Sequence, residues 1–402
     1  MKKLFTLAAA GTMAVGSLTA QAQVTVDGVL SAAEISTANY QLVGKFTTPR
    51  GFGDYGLLSL YAASSPTKFY FFVAGTVENN GNALQLYMDL PGVTGATTGV
   101  SLPAGAAGTS FEKMTAKLDL PADMALALRS DGTGFQVEGA VYTSATAATS
   151  RKLTTTAAPV SGTGTALTLP TPTGTGYSKL AGARVAYRTT TSGKVLTNPG
   201  YNASTATPAY GAAGSFGWEI ELDRANFTLA TGTPTLSIFV VQNNPTGGFL
   251  SSDYIPQSTG ALPASGGFPS PNLGGPDNNS GAGNTGGAVD FAIVPGRQAT
   301  TITLGASGIL GNKAAEAAVA MAVYPNPAID AVTIAYNVAN KSDAVNVVLT
   351  DLMGRQVRVL ENSVKSTGTQ LTTVSTAAVA AGTYLVQVQV GENISTRKVV
   401  LL

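Results

Sequence analysis

The chain of 402 residues contains no histidine and no cysteine. Without histidine, Ser-His-Asp and Cys-His catalysis and histidine-ligated metal centres are excluded. Without cysteine no disulfide can form, so the fold must rest on burial, strand pairing or bound ions. Charge is scarce as well: Asp, Glu, Lys and Arg make up 11% of the chain, against roughly 25% in an ordinary soluble domain. No basic stripe marks a nucleic-acid surface and no polybasic patch marks a membrane surface, so neither partner is expected. After the first residues, no apolar run reaches the length of a membrane-spanning helix.

What is present is small, β-branched and turn-forming. Thr, Ala and Val are abundant beside 47 Gly and 20 Pro, a composition that favours many short strands joined by tight turns. The first 22 residues read as a secretory signal: Lys2 and Lys3, then an apolar core, then the small-x-small site Ala20-Gln21-Ala22. Its removal takes away two lysines and no acid, which leaves a nearly neutral chain without a membrane span.

From residue 23 the chain alternates with period two between turn clusters. Lys68–Val77 is one such run. In the next, Leu84, Leu86, Met88 and Leu90 alternate with Gln85, Tyr87 and Asp89. The sharpest sets Phe216, Trp218, Ile220 and Leu222 against Glu219, Glu221 and Asp223, which assigns Trp218 to the core. Residues 114–129 are the best helical candidate, interrupted at Pro121. Residues 143–176 and 256–287 read as long surface loops. The expected architecture is all-β: a large antiparallel β-sandwich with long loops over residues 23–308, a linker over 309–322, and a small β-sandwich over 323–402.

Chemistry is hard to place on this frame. A glycosidase needs only two carboxylates; the candidates are Asp89, Glu112, Glu138, Glu219 and Glu221, which read as solvated acids on strand faces. No catalytic residue is assigned. The string Gly51–Gly56 matches G-x-G-x-x-G but leads into a strand, where a phosphate site needs a helix. The one metal that an oxygen-only donor set leaves open is a structural calcium, with Asp27 and the 274–284 loop as candidate donors. For a polysaccharide, exposed aromatic rings are required. Tyr87, on the polar face of its strand, and Tyr254 with its neighbour Asp253, in a loop, are the primary candidates; Tyr55 and Phe249 are further ones.

The last segment opens "VYPNPAIDAVTIAY" and shows strand patterns at Ala331–Tyr336, Val345–Thr350, Gln356–Leu360, Thr383–Val390 and Lys398–Leu402. Four blocks occur in order. They are Tyr324-Pro325-Asn326-Pro327, then Asp351 with Gly354 and Arg355, then Gly382 with Tyr384, then Lys398 in a basic-then-apolar end. Over residues 320–402 the chain resembles the type A C-terminal sorting domain of type IX (Por) secretion substrates from Bacteroidetes. The resemblance implies transport through the periplasm and outer membrane by that secretion machinery, to the cell surface or the medium. Apart from the possible structural calcium, no cofactor is expected.

The front of the chain is similar to family 9-like carbohydrate-binding modules and their DOMON-like relatives. The likeness lies in "VTVDGVLSAAEI", the aromatic strand Lys68–Val77, the strand Asn82–Asp89 and Gly217–Leu222. Ile35 stands where those modules carry a tryptophan. The resemblance implies a non-catalytic, glycan-binding sandwich; the alternatives are a structural or adhesive surface protein without a small ligand and, last, a carboxylate-dependent glycan hydrolase.

Overall fold

The computed structural model describes residues 24–36, 40–46, 56–130, 134–154, 164–170, 173–202, 209–227, 235–257, 273–277, 284–285, 288–291, 294, 298–305, 308–310, 319, 321–351, 356–377, 379–391 and 393–402. The expected leader, Tyr55, Gly354, Arg355 and most of the expected linker lie outside these residues.

The front body is built from β1 (Gln41–Lys45), β2 (Gly56–Ser64), β3 (Lys68–Thr76), β4 (Ala83–Asp89), β5 (Met124–Ser130), β6 (Phe135–Ser144), β7 (Ala147–Lys152), β8 (Leu167–Thr168) and β9 (Arg184–Tyr187). It continues with β10 (Tyr201–Asn202), β11 (Ala209–Tyr210), β12 (Gly217–Asp223), β13 (Thr235–Asn243), β14 (Leu250–Ile255), β15 (Asn284–Thr285), β16 (Ala288–Val289), β17 (Thr300–Gly305) and β18 (Gly308–Leu310). One sheet runs β1-β2-β3-β12-β9-β8. The other runs β18-β17-β13-β4-β5-β6-β7, with β14 also on β13. All the ladders within the two sheets are antiparallel.

The alternating residues meet between the sheets. Phe69, Phe71 and Val73 of β3 and Trp218, Ile220 and Leu222 of β12 face Leu84, Leu86 and Met88 of β4 and Leu126 and Leu128 of β5. Trp218 is fully buried there, as its alternation required. Burying each such side chain stabilises the fold by ~1.5–3 kcal/mol.

The outer faces differ from expectation, because both are roofed. On the first sheet, Leu58, Tyr70, Phe72 and Ala186 pack under Val24, Val26, Leu30, Tyr40 and Val195. On the second, Tyr87, Tyr142, Phe239 and Tyr254 pack under Leu102, Phe111, Met114, Leu118 and Phe291. Every residue of β2 is therefore buried, and a polar letter in the alternation no longer means contact with water.

Two local expectations are corrected, and one element is new. The helical candidate at 114–129 is irregular roof, carrying Leu118 and Leu120, followed by β5, where Met124, Leu126 and Leu128 keep the two-residue spacing of a ladder. The region 143–176 is not one loop: β7 turns back on β6, pairing Glu138 with Lys152 through Ser144 with Ala147. The described helix α1 (Ala32–Ser36) was not anticipated; Ser31 and Glu34 form a reciprocal capping box, Glu34 N–H donating to Ser31 Oγ and Ser31 N–H to Glu34 Oε2.

The C-terminal module comprises β19 (Ala322–Tyr324), β20 (Ala331–Thr350), β21 (Gln356–Ser375), β22 (Gly382–Val390) and β23 (Asn393–Leu401), in the order β19-β20-β22-β23 with β21 on the far edge of β20. The expected strands are all present, the first two fused into β20. That fusion needs a phase change. Val332, Ile334, Tyr336 and Val338 are buried at even positions, Val345, Val347 and Leu349 at odd ones. Between the two halves the pairing skips from Val338–Gly368 to Ser342–Ser366, four residues of β20 against two of β21.

Tyr87→Ala should behave as a core truncation rather than a surface change. A loss of about 3–5 kcal/mol is expected in urea unfolding of the full chain; a change under about 0.5 kcal/mol would place the ring outside the core.

Candidate functional site

The aromatic candidates for a glycan platform are withdrawn on their burial. Tyr87 and Tyr254 are both completely buried. Tyr87 packs its ring at 6.3 Å from Phe111 and 6.2 Å from Phe239, and its hydroxyl donates to Gln85 Oε1 at 2.7 Å. Tyr254 lies on β14, not in a loop, with its ring 5.6 Å from Phe291. Asp253 is buried and accepts the Leu57 N–H at 3.0 Å, fastening β2 to β14. Phe249 is half-buried and Tyr55 lies outside the described residues.

The strand-face acids are likewise not solvated. Glu138, Glu219 and Glu221 are buried, and each has a defined task. Glu138 accepts the Ser110 N–H at 2.7 Å and Arg129 at 3.1 Å, while Gln85 Nε2 donates to Ser110 O at 2.9 Å. Together they tie the roof segment around Ser110 to the second sheet. Glu221 sits between Lys68 and Arg184, each at 3.2 Å. Asp89 is half-buried at the end of β4, and Glu112 accepts the Gly108 N–H at 2.8 Å.

Glu219 holds the amino-terminal roof. Its Oε2 accepts the N–H groups of Asp27 at 2.9 Å and Gly28 at 3.0 Å, and its Oε1 accepts the Tyr40 hydroxyl at 2.8 Å. Gly28 has φ +74 and a built Cβ would lie 2.8 Å from Arg188 N, so the turn requires glycine. The "VDG" opening and the glutamate of β12 are thus one fastening across 191 residues of chain. Nothing in the local pattern announces this pairing; the signal available was the capping box at Ser31 and Glu34.

Of the candidate calcium donors, residues 278–283 of the loop lie outside the described residues, and Asp277 and Asp27 each accept hydrogen bonds. Asp277 accepts Lys113 Nζ at 2.6 Å, Asn244 Nδ2 at 3.0 Å and Thr246 Oγ1 at 3.0 Å. Asp27 Oδ1 accepts the Val29 N–H at 2.8 Å. Among the described residues no group of three or more acids is placed to hold a metal ion.

The sorting blocks converge at the opposite end of the chain. Tyr324, Pro325, Asn326 and Pro327 are exposed, and both prolines follow cis peptide bonds. Asn326 reaches across 72 residues: Nδ2 donates to Lys398 O at 2.8 Å, and Oδ1 accepts the Val400 N–H at 2.9 Å. Ala328 continues the contact, its N–H donating to Val400 O at 2.8 Å and its carbonyl accepting the Leu402 N–H at 2.9 Å. The opening block and Lys398 are therefore neighbours. Gly382 begins β22, and Tyr384 packs against the core with its hydroxyl donating to Ala380 O at 2.8 Å. Asp351 follows β20 directly, half-buried, next to Thr350, which pairs with Leu385 of β22; its partners in the block, Gly354 and Arg355, are outside the described residues.

Burial pushes the Glu219 carboxyl up to about 8, against the opposing pull of its N–H and O–H donors; Glu34 nearby adds to the rise. A raised carboxyl stabilises the fold below its unfolded pKa of about 4.5, and that contribution is lost as pH climbs through about 8. Asp123, raised to about 6 by burial, acts in the same sense over a lower window. The unfolding free energy of wild type minus that of Glu219→Gln should fall steadily across the Glu219 window. A difference that stays flat with pH would show that Glu219 does not titrate there.

No curated protein matches the chain. Among solved structures, dimeric latent PorU from Porphyromonas gingivalis aligns at 11% identity over 90% of this chain and 34% of that one, with a TM-score of 0.19. PorZ, a surface component of the type IX secretion system of the same organism, aligns at 13% identity over 69% and 37%, with a TM-score of 0.16. The chain thus spans about a third of the length of either structure, and likenesses this distant carry no argument about its fold. The sequence of the terminal module is more telling: residues 322–402 match the family described as the secretion system C-terminal sorting domain.

Proposed function

We propose that this is an exported protein of the cell surface or medium, carried across the outer membrane by the type IX secretion machinery through residues 323–402. The observation that carries the reading is the sorting-domain match at the residues where Tyr324–Pro327 and Lys398 lie side by side. The front body is cargo, and it is non-catalytic. Among the described residues its buried acids Glu138, Glu219 and Glu221 are engaged in tying strands and roof segments together, and this engagement supports a body without the facing carboxylate pair that glycoside cleavage needs. With both sheets covered on both faces, the cargo reads as a structural or adhesive body.

Removal of Val323–Leu402 in a host with this secretion system should leave the cargo in the periplasm, read by fractionation. Normal surface display or release without the module would overturn the sorting reading.

One observation favours a glycan-binding cargo as the second reading. Tyr201 and Tyr210 are directly paired across β10 and β11, half-buried, with ring centroids 5.8 Å apart. Retention of the full chain on xylan, chitin or cellulose, lost in Tyr201→Ala/Tyr210→Ala, would support it. No retention on any of them would leave the structural reading alone.

A further inference from the structure

The parallel bridge between Ala328 and Leu401 does more than close the module. Ala328 and Leu401 are buried at 0% and 3% exposure. The bridge, with the Leu402 N–H donating to Ala328 O, brings the backbone of their successors Ile329 and Leu402 side by side, and both of those side chains are exposed. Each is 66% exposed. Along β23 the same outward row continues through Val400, half-buried, to Lys398, exposed, while Val399 and Leu401 face the core. Asn326 holds this row in place through its bonds to Lys398 O and Val400 N–H. The backbone beside Ile329 is fixed from the other side, Thr376 N–H donating to Asp330 O at 2.9 Å.

The result is a short stripe with a cation at one end and two large aliphatic side chains at the other. It contributes little to the core of the module, yet it is built from the two blocks that the sequence separates most widely. We propose that Lys398, Val400, Leu402 and Ile329 form one composite docking stripe for the outer-membrane secretion machinery, with Asn326 as its positioning residue. This rests on the sorting reading above and adds where the module is read. The chemistry of the stripe specifies its receptor: a protein groove with an apolar floor for Ile329 and Leu402 and a carboxylate that receives Lys398. A linear terminal signal would need only β23; a composite one requires the segment after the Y-P-N-P block as well.

The test is export of the full chain in a host carrying the system, measured as the fraction outside the periplasm. Ile329→Ser, Leu402→Ser and Lys398→Glu should each lower that fraction by about tenfold, a typical effect of removing an interface anchor. Val364→Ser/Leu371→Ser alters two aliphatic side chains that are 68% and 64% exposed on β21, and this control should export like the wild type. Urea unfolding midpoints of the purified chains report whether each variant is folded. Wild-type export of Ile329→Ser alongside a defect in Leu402→Ser would reduce the signal to its linear end and overturn the composite stripe. An equal defect in the β21 control would overturn it too. If the chain lacking Val323–Leu402 is exported normally, the sorting reading itself fails, and the stripe fails with it.

Discussion

A polar group carried beneath a covering segment has to find its hydrogen bonds there, and most of the front body follows from that. Two antiparallel sheets meet through one core, and each outer face is then closed by chain of irregular structure. The closing segments bring N–H groups with no ladder to join, and the strands beneath carry carboxylates cut off from water. Each requirement answers the other. Glu219 takes the amides of Asp27 and Gly28, and Glu138 takes the amide of Ser110. An unpaired buried amide or carboxylate costs several times what a satisfied one contributes, so these contacts decide whether the roofs seat at all. A chain without cysteine has no covalent substitute for them.

Much of the fold was legible in the sequence because the inner faces obey the simplest rule. Trp218, Ile220 and Leu222 alternate, and alternate residues of a strand share a face. The same rule misplaced Tyr87 and Glu219. Periodicity reports which side of a strand a residue occupies, and it is silent about what lies over that side. The covering segments have no period of their own; Leu102, Phe111 and Met114 are spaced irregularly and become a roof only in three dimensions. The capping box at Ser31 and Glu34 was readable and marks where the amino-terminal roof turns.

The terminal module was legible in another way. Its blocks follow a family pattern, and its strands stand near where the alternation puts them. What the linear order conceals is that the first block and the last are neighbours. Asn326 bonds two backbone groups of β23 as a strand partner would, using a side-chain amide where the prolines on either side supply no N–H of their own.

The phase change in β20 sets a rule for how the module can vary in length. On one side of the switch even-numbered residues are buried, on the other odd-numbered ones. Losing or gaining one residue between Val338 and Val345 would turn either Ile334 and Tyr336, or Val347 and Leu349, out into water. A change of two would leave both halves facing as they do now. The module should therefore accept insertions at this register skip in pairs and refuse them singly, a parity constraint on its evolution that no individual side chain reveals.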